Sequence, residues 1–202
     1  MDDSVIAEHV VVTTRHRRRD LLEFQIAAWL WSHIAAALPQ AFSLVLMPDH
    51  LHLMAPPGCV PRLRAVLTGA TQRFGIRFDI AVFDHATTPQ ILGRMIRYGF
   101  YNPVRAGLVD DPWRWPWSSL RDLAACVFPV WTELGHVAQA LRLSPSRALR
   151  GLTCLGESRP AAPAVALPEV VSPPDAAAAV ASVLRLPTRE VWGQRLGRRL
   201  VV

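Results

Sequence analysis

Between Phe42 and Met54 the chain reads FSLVLMPDHLHLM, two short apolar runs separated by Met47-Pro48-Asp49. Runs of this length, rich in branched and long aliphatic residues and bounded by a proline, predict two strands, Phe42 to Leu46 and His50 to Met54. Successive strand side chains point to opposite faces, so His50, His52 and Met54 share one face while Leu51 and Leu53 pack the other. This demands a sheet with one apolar face and, on its reverse, two imidazoles aimed at one spot. Two imidazoles on a rigid strand are half of a metal site. The same pattern also arises from strand histidines satisfied by hydrogen bonds, and the strand alone leaves both readings open.

A second segment, Thr87 to Val109 (TTPQILGRMIRYGFYNPVRAGLV), narrows the choice. Thr88 followed by Pro89 is an N-cap with proline at the first helical position. Ile91, Met95, Tyr98 and Asn102 follow at spacings of four, three and four, which is one stripe of a helix. Pro103 is expected to end that helix and to hold Asn102 away from the helical region. A phenol and a carboxamide one turn apart then point the same way. The other tyrosine, Tyr101, also neighbours Tyr98 on the helix surface but diverges from Asn102 by about 100°, so Tyr98 is favoured for any tyrosine chemistry.

The motifs MPDHLHLM and Y-x-x-x-NPVRAGLV, followed by DPWRWPWSS from Asp111 to Ser119, resemble the small single-tyrosine HUH transposases of bacterial insertion sequences, in particular their REP-associated branch. The resemblance spans about residues 5 to 122. It implies an α+β, ferredoxin-like antiparallel sheet with helices on one face, here followed by a C-terminal helical extension. It implies His50, His52 and Asn102 as ligands of a divalent metal, magnesium or manganese, and Tyr98 as nucleophile. The partner it implies is single-stranded or hairpin DNA, with the protein a monomer or a homodimer. The chain departs from the branch after its first strand, where TTRHRRRD replaces a glycine- and asparagine-bearing turn, and at Asp49, where asparagine is common. On strand alternation Asp49 points away from His50 and takes no metal role.

The chemistry is consistent without the family. Breaking a phosphodiester requires charge neutralisation on a non-bridging oxygen, a stabilised leaving oxygen and an attacker held in line. A tyrosine nucleophile stores the bond as a phosphotyrosine that a free 3′-hydroxyl can later reverse. Imidazoles and an amide bring no negative charge to repel the phosphate. A zinc hydrolase would need a third strong ligand, and His9, His33, His85 and His136 lie on separate segments with no evident partner. The opposed class is a catalytically silent DNA-binding regulator or relic that keeps the fold.

The formal charge is +6, and all 22 basic residues are arginine. Arginine suits phosphate, although a lysine-free chain also fits a GC-rich coding sequence. Arg15, Arg17, Arg18 and Arg19 follow the first predicted strand, Val5 to Thr14, and Arg62, Arg64, Arg73 and Arg77 fall on a predicted helical segment. The expected DNA contacts are Arg15, Arg17, Arg18, Arg19, Arg73 and Arg105. Three cysteines without metal-binding spacing predict reduced thiols. No apolar stretch reaches membrane-spanning length without interruption, so a cytoplasmic protein with no membrane partner is expected.

The remaining elements follow from periodicity: a helix over Asp20 to Leu38 with Trp29 and Trp31 in the core, a helix from Pro61 to about Phe74, and a short strand Ile80 to Phe83. Trp113, Trp115 and Trp117 are expected to pack the loop after the tyrosine helix onto the sheet, with base stacking as the other use. Domains are placed at 1–125 for the catalytic unit, 126–156 for a helical appendage with a helix-turn-helix or an ordinary helix pair, 157–174 for a Pro/Ala-rich linker and 175–202 for a basic helical tail.

Overall fold

The computed structural model describes residues 4–15, 20–124 and 131–153, all within one compact unit, Met1–Ala162. The predicted linker and tail, most of the arginine run after the first strand, Cys126 and Cys154 lie outside the described residues.

Strand β1 (Ala7–Thr14), helix α1 (Phe24–Ala37), strands β2 (Ser43–Leu46) and β3 (His50–Ala55), helix α2 (Val60–Phe74) and strand β4 (Phe78–Ala86) follow in the β-α-β-β-α-β order of the ferredoxin-like plan. The sheet runs β2-β3-β1-β4 with every pairing antiparallel. Alternation then sorts its side chains. Val10, Val12, Leu51, Leu53 and Ala55 face α1 and α2, meeting Ile26, Leu30, Ile34, Leu63 and Leu67. Each such fully buried Leu or Ile contributes about 1.5–3 kcal/mol relative to exposure, which fixes the strand register against a one-residue slip.

The predicted placement of helices on one face describes α1 and α2. The other face is also covered in part. Ala7, Val45 and Met54 pack against Leu92, Met95, Ile96 and Phe100 of α3 (Pro89–Phe100). After the short helices α4 (Asn102–Arg105) and α5 (Leu120–Leu123), α6 (Leu134–Ala140) and α7 (Pro145–Thr153) join this second core through Val137, Leu141, Ala148 and Leu152. Ala148 and Leu152, the buried apolar residues of α7, are thus used inside the protein, with Leu149 partly buried against the same core.

The segment after α4 is bound to the β2 edge. Leu46 N donates to Trp117 O at 2.9 Å, and Ser119 N donates to Leu44 O at 2.9 Å. Trp115 is buried, and its Nε1 donates to Leu46 O at 2.7 Å. Packing of this loop onto the sheet is therefore the role the structure gives Trp115. Trp117, partly buried, meets Trp31, which also meets Trp131.

Some placements differ from the sequence reading. The first helix begins at Phe24, after a 3-10 turn at Asp20–Leu22. Helix α2 ends at Phe74 as expected, with Gly75 at φ 70° as its C-cap, so Arg77 lies beyond it and not on the helical segment. Strand β4 has nine residues because β1 pairs along its whole length; exposed Asp79, Asp84 and His85 on this edge hide the alternation. Pro103 does interrupt the tyrosine helix, but Asn102 is not extended. It opens α4, where a proline in the first turn costs nothing because its missing N–H would have no partner there.

Candidate active site

The site grows from the face of β3 opposite α1 and α2. His50 pairs across to Thr13 and His52 to Val11, which leaves both imidazoles on the α3 side of the sheet. Their ring centroids are 4.9 Å apart and nearly perpendicular. His50 sits at the strand end and is partly exposed, whereas His52 is buried.

Each ring is held through Nδ1. The Asp49 carboxylate lies 2.6 Å from His50 Nδ1. This corrects the expectation that Asp49 points away: the strand begins only at His50, so alternation does not extend back to Asp49. His52 Nδ1 lies 2.9 Å from His9 Nε2. His9, set aside in the sequence as lying on a separate segment, belongs to the site, because β1 places it opposite Met54 and hence diagonal to His52. His52 Nε2 is buried and has no hydrogen-bond partner among the described residues.

Burial first, then the neighbouring His50, His9 and Arg105, push the His52 pKa down to about 3. Burial also lowers that of His9, against the opposing pull of Asp84. His52 is therefore neutral near pH 7, the state in which an imidazole can donate a lone pair.

Helix α3 brings Tyr98 to this place. Thr88 Oγ1 accepts from Ile91 N at 3.3 Å and caps the helix, and buried Leu92, Met95, Ile96 and Phe100 fix its rotation. Gly99 allows close approach, since a Cβ there would lie 3.2 Å from Met54 Cε. Tyr98 is 42% exposed, with its ring 6.0 Å from that of His52 and 6.1 Å from that of His9. Tyr101 is only 7% exposed and its hydroxyl donates to Thr153 O at 2.8 Å. Of the two phenols, Tyr98 is the one beside the histidines and open to solvent. Asn102 lies one turn on, where its Nδ2 donates to Tyr98 O at 3.3 Å, a bond in which its amide oxygen takes no part.

The arginines divide. Arg105 is exposed and holds its Cζ 4.4 Å from the Tyr98 ring centroid, a cation–π contact worth about 0.5–1 kcal/mol at an exposed site. Arg15 follows β1 at the His50 end of the sheet and pairs with Asp79 at 3.3 Å. Arg73 belongs to α2 on the opposite face, beside Phe74, and is not brought to the histidines. Arg17, Arg18 and Arg19 lie outside the described residues.

Phe83 was not legible as a site neighbour. A β-bulge pairs His9 with Asp84 and Val10 with Val82, which leaves Phe83 as the extra residue. Its ring is 71% exposed and stands edge-on to His9 at 5.5 Å. Bulges commonly re-aim a side chain next to active sites.

Among the described residues no group of three or more His, Cys, Asp or Glu side chains could hold a metal ion. A three-ligand site here would need a donor of another type beside the two imidazoles. No helix of the described residues is long and apolar enough to cross a membrane.

No protein-family profile matches the chain, and no curated protein matches it. Among solved structures it is similar to a REP-associated tyrosine transposase bound to a REP hairpin, with a TM-score of 0.48 and 25% identity over 63% of this chain and 87% of that one.

Proposed function

We propose that the protein cleaves and rejoins single-stranded or hairpin DNA, with Tyr98 as nucleophile and a divalent metal, magnesium or manganese, held by His50, His52 and Asn102. The observation that carries this reading is the exposed Tyr98 phenol beside a buried, neutral imidazole whose Nε2 has no hydrogen-bond partner among the described residues. An orphaned buried nitrogen is costly unless something binds it. With both Nδ1 atoms engaged, the two Nε2 atoms are the donors left for a cation.

A bound divalent ion would neutralise charge on a non-bridging phosphate oxygen. The protein's own groups supply the rest. The Tyr98 hydroxyl oxygen bonds to phosphorus as the bond to the 3′ oxygen breaks, giving a 5′-phosphotyrosine and a free 3′-hydroxyl. The phenolic proton leaves to the water that reaches this exposed ring, and the departing oxygen takes a proton from water. Arg105, over the phenol, offers a fork to the phosphate. A 3′-hydroxyl attacking the phosphotyrosine reverses these bond changes and joins a strand.

The test is to incubate the full chain with manganese and labelled single-stranded hairpins of varied sequence, then run a denaturing gel. A protein-linked DNA band that vanishes in Tyr98→Phe and survives in Tyr101→Phe supports the reading. DNA binding without any such band refutes it in favour of a silent DNA-binding protein.

A further inference from the structure

We infer that His9 is a positioning residue for His52: its Nε2 accepts the proton of His52 Nδ1, holds that ring in the Nδ1–H tautomer and leaves the Nε2 lone pair facing the site. Two ring nitrogens 2.9 Å apart leave room for one proton between them. The neighbouring histidine shows which arrangement the site uses. A carboxylate only accepts, so the 2.6 Å contact with Asp49 puts a proton on His50 Nδ1.

The opposite assignment, with His9 as donor, would put the His52 proton on Nε2. That atom is buried and meets no acceptor among the described residues. Orphaned buried N–H donors are the rarer defect. The sheet supports the arrangement. His9 is 3% exposed, opposite Met54 on β1, with the bulge directly after it and Phe83 against its edge, so the ring has little freedom to turn from His52. Partners that fix the tautomer of a ligating histidine typically change metal affinity by 10–100-fold when removed.

The first measurement is nitrogen NMR of the histidine rings in the full chain without metal, at a pH where they are neutral. The expected result is a His52 with a protonated Nδ1 and a bare Nε2 that changes to the other tautomer, or to a mixture, in His9→Leu. His9→Gln, whose amide oxygen can accept the same proton, is expected to restore it. A wild-type His52 protonated at Nε2, or one unchanged in His9→Leu, overturns the inference. The wild-type spectrum can overturn the inference even if a variant fails to fold.

The metal consequence alone rests on the proposed function. Titration with manganese alone is expected to show binding weakened about 10–100-fold in His9→Leu and recovered in His9→Gln. Equal affinity in all three proteins overturns the positioning role. If wild type binds no manganese while its His52 tautomer still depends on His9, the positioning role is upheld and the metal reading falls.

Discussion

Asp122 should make stability fall as pH rises from about 4 to 6. This carboxylate on α5 is only 3% exposed and accepts from Thr132 N at 3.3 Å through Oδ2. Burial raises its pKa from 3.8 to about 6, with backbone hydrogen bonds from Thr132 and Trp131 and the charge of Arg121 opposing the shift. Because the folded pKa lies above the unfolded one, the unfolded chain loses its proton first, so stability declines across this window and levels off above it. A shift of about two units corresponds to about 3 kcal/mol. Asp122→Asn removes the titration while keeping an oxygen for the Thr132 N–H. The assay is urea unfolding of both proteins, followed by tryptophan fluorescence at pH values from 3.5 to 8, with the difference between them taken at each pH. The variant should gain about 3 kcal/mol on wild type between the acid and neutral ends. Parallel stability profiles would refute the claim that Asp122 is ionised at a cost in the fold.

Three further substitutions separate structural from functional roles. Trp115→Phe removes the buried donor to Leu46 O and should cost about 1–3 kcal/mol in urea unfolding; an unchanged midpoint would show that this bond does not secure the loop. Thr88→Ala removes the cap of the tyrosine helix and should cost about 0.5–2 kcal/mol, read from the same transition, with no loss counting against the cap. Arg105→Ala should weaken hairpin binding and lower the salt slope of log K by about 1; equal slopes would exclude a phosphate contact at Arg105.

The parts of the site that obey local rules were legible in the sequence. Alternation put His50 and His52 on one face, and the Thr88-Pro89 start with its stripe put Tyr98 on a helix; both hold in the structure. What escaped depends on pairings between distant segments. His9 reaches His52 only through the β1–β3 register, 43 residues apart in sequence. Tyr101 is withdrawn from solvent by the carbonyl of Thr153, 52 residues away. Phe83 reaches the site through a bulge on an edge strand whose charged residues obscured its length. Asp49 escaped for the opposite reason: it sits one residue before the strand, where strand alternation does not apply. Pro103 reads locally as a terminator, yet a proline also suits the first turn of a new helix, which is the place it takes in α4.

In the proposed reaction Tyr98 becomes covalently linked to a DNA 5′ phosphate. The most direct measurement traps the adduct with manganese and a hairpin pool, trims the DNA with nuclease and sequences the tryptic peptide Tyr98 to Arg105, which contains both tyrosines, by fragment mass spectrometry. The expected product carries a nucleotide 5′ phosphate on Tyr98 and an unmodified Tyr101. Modification of Tyr101, or hairpins cleaved with no nucleotide on either ring, would contradict it.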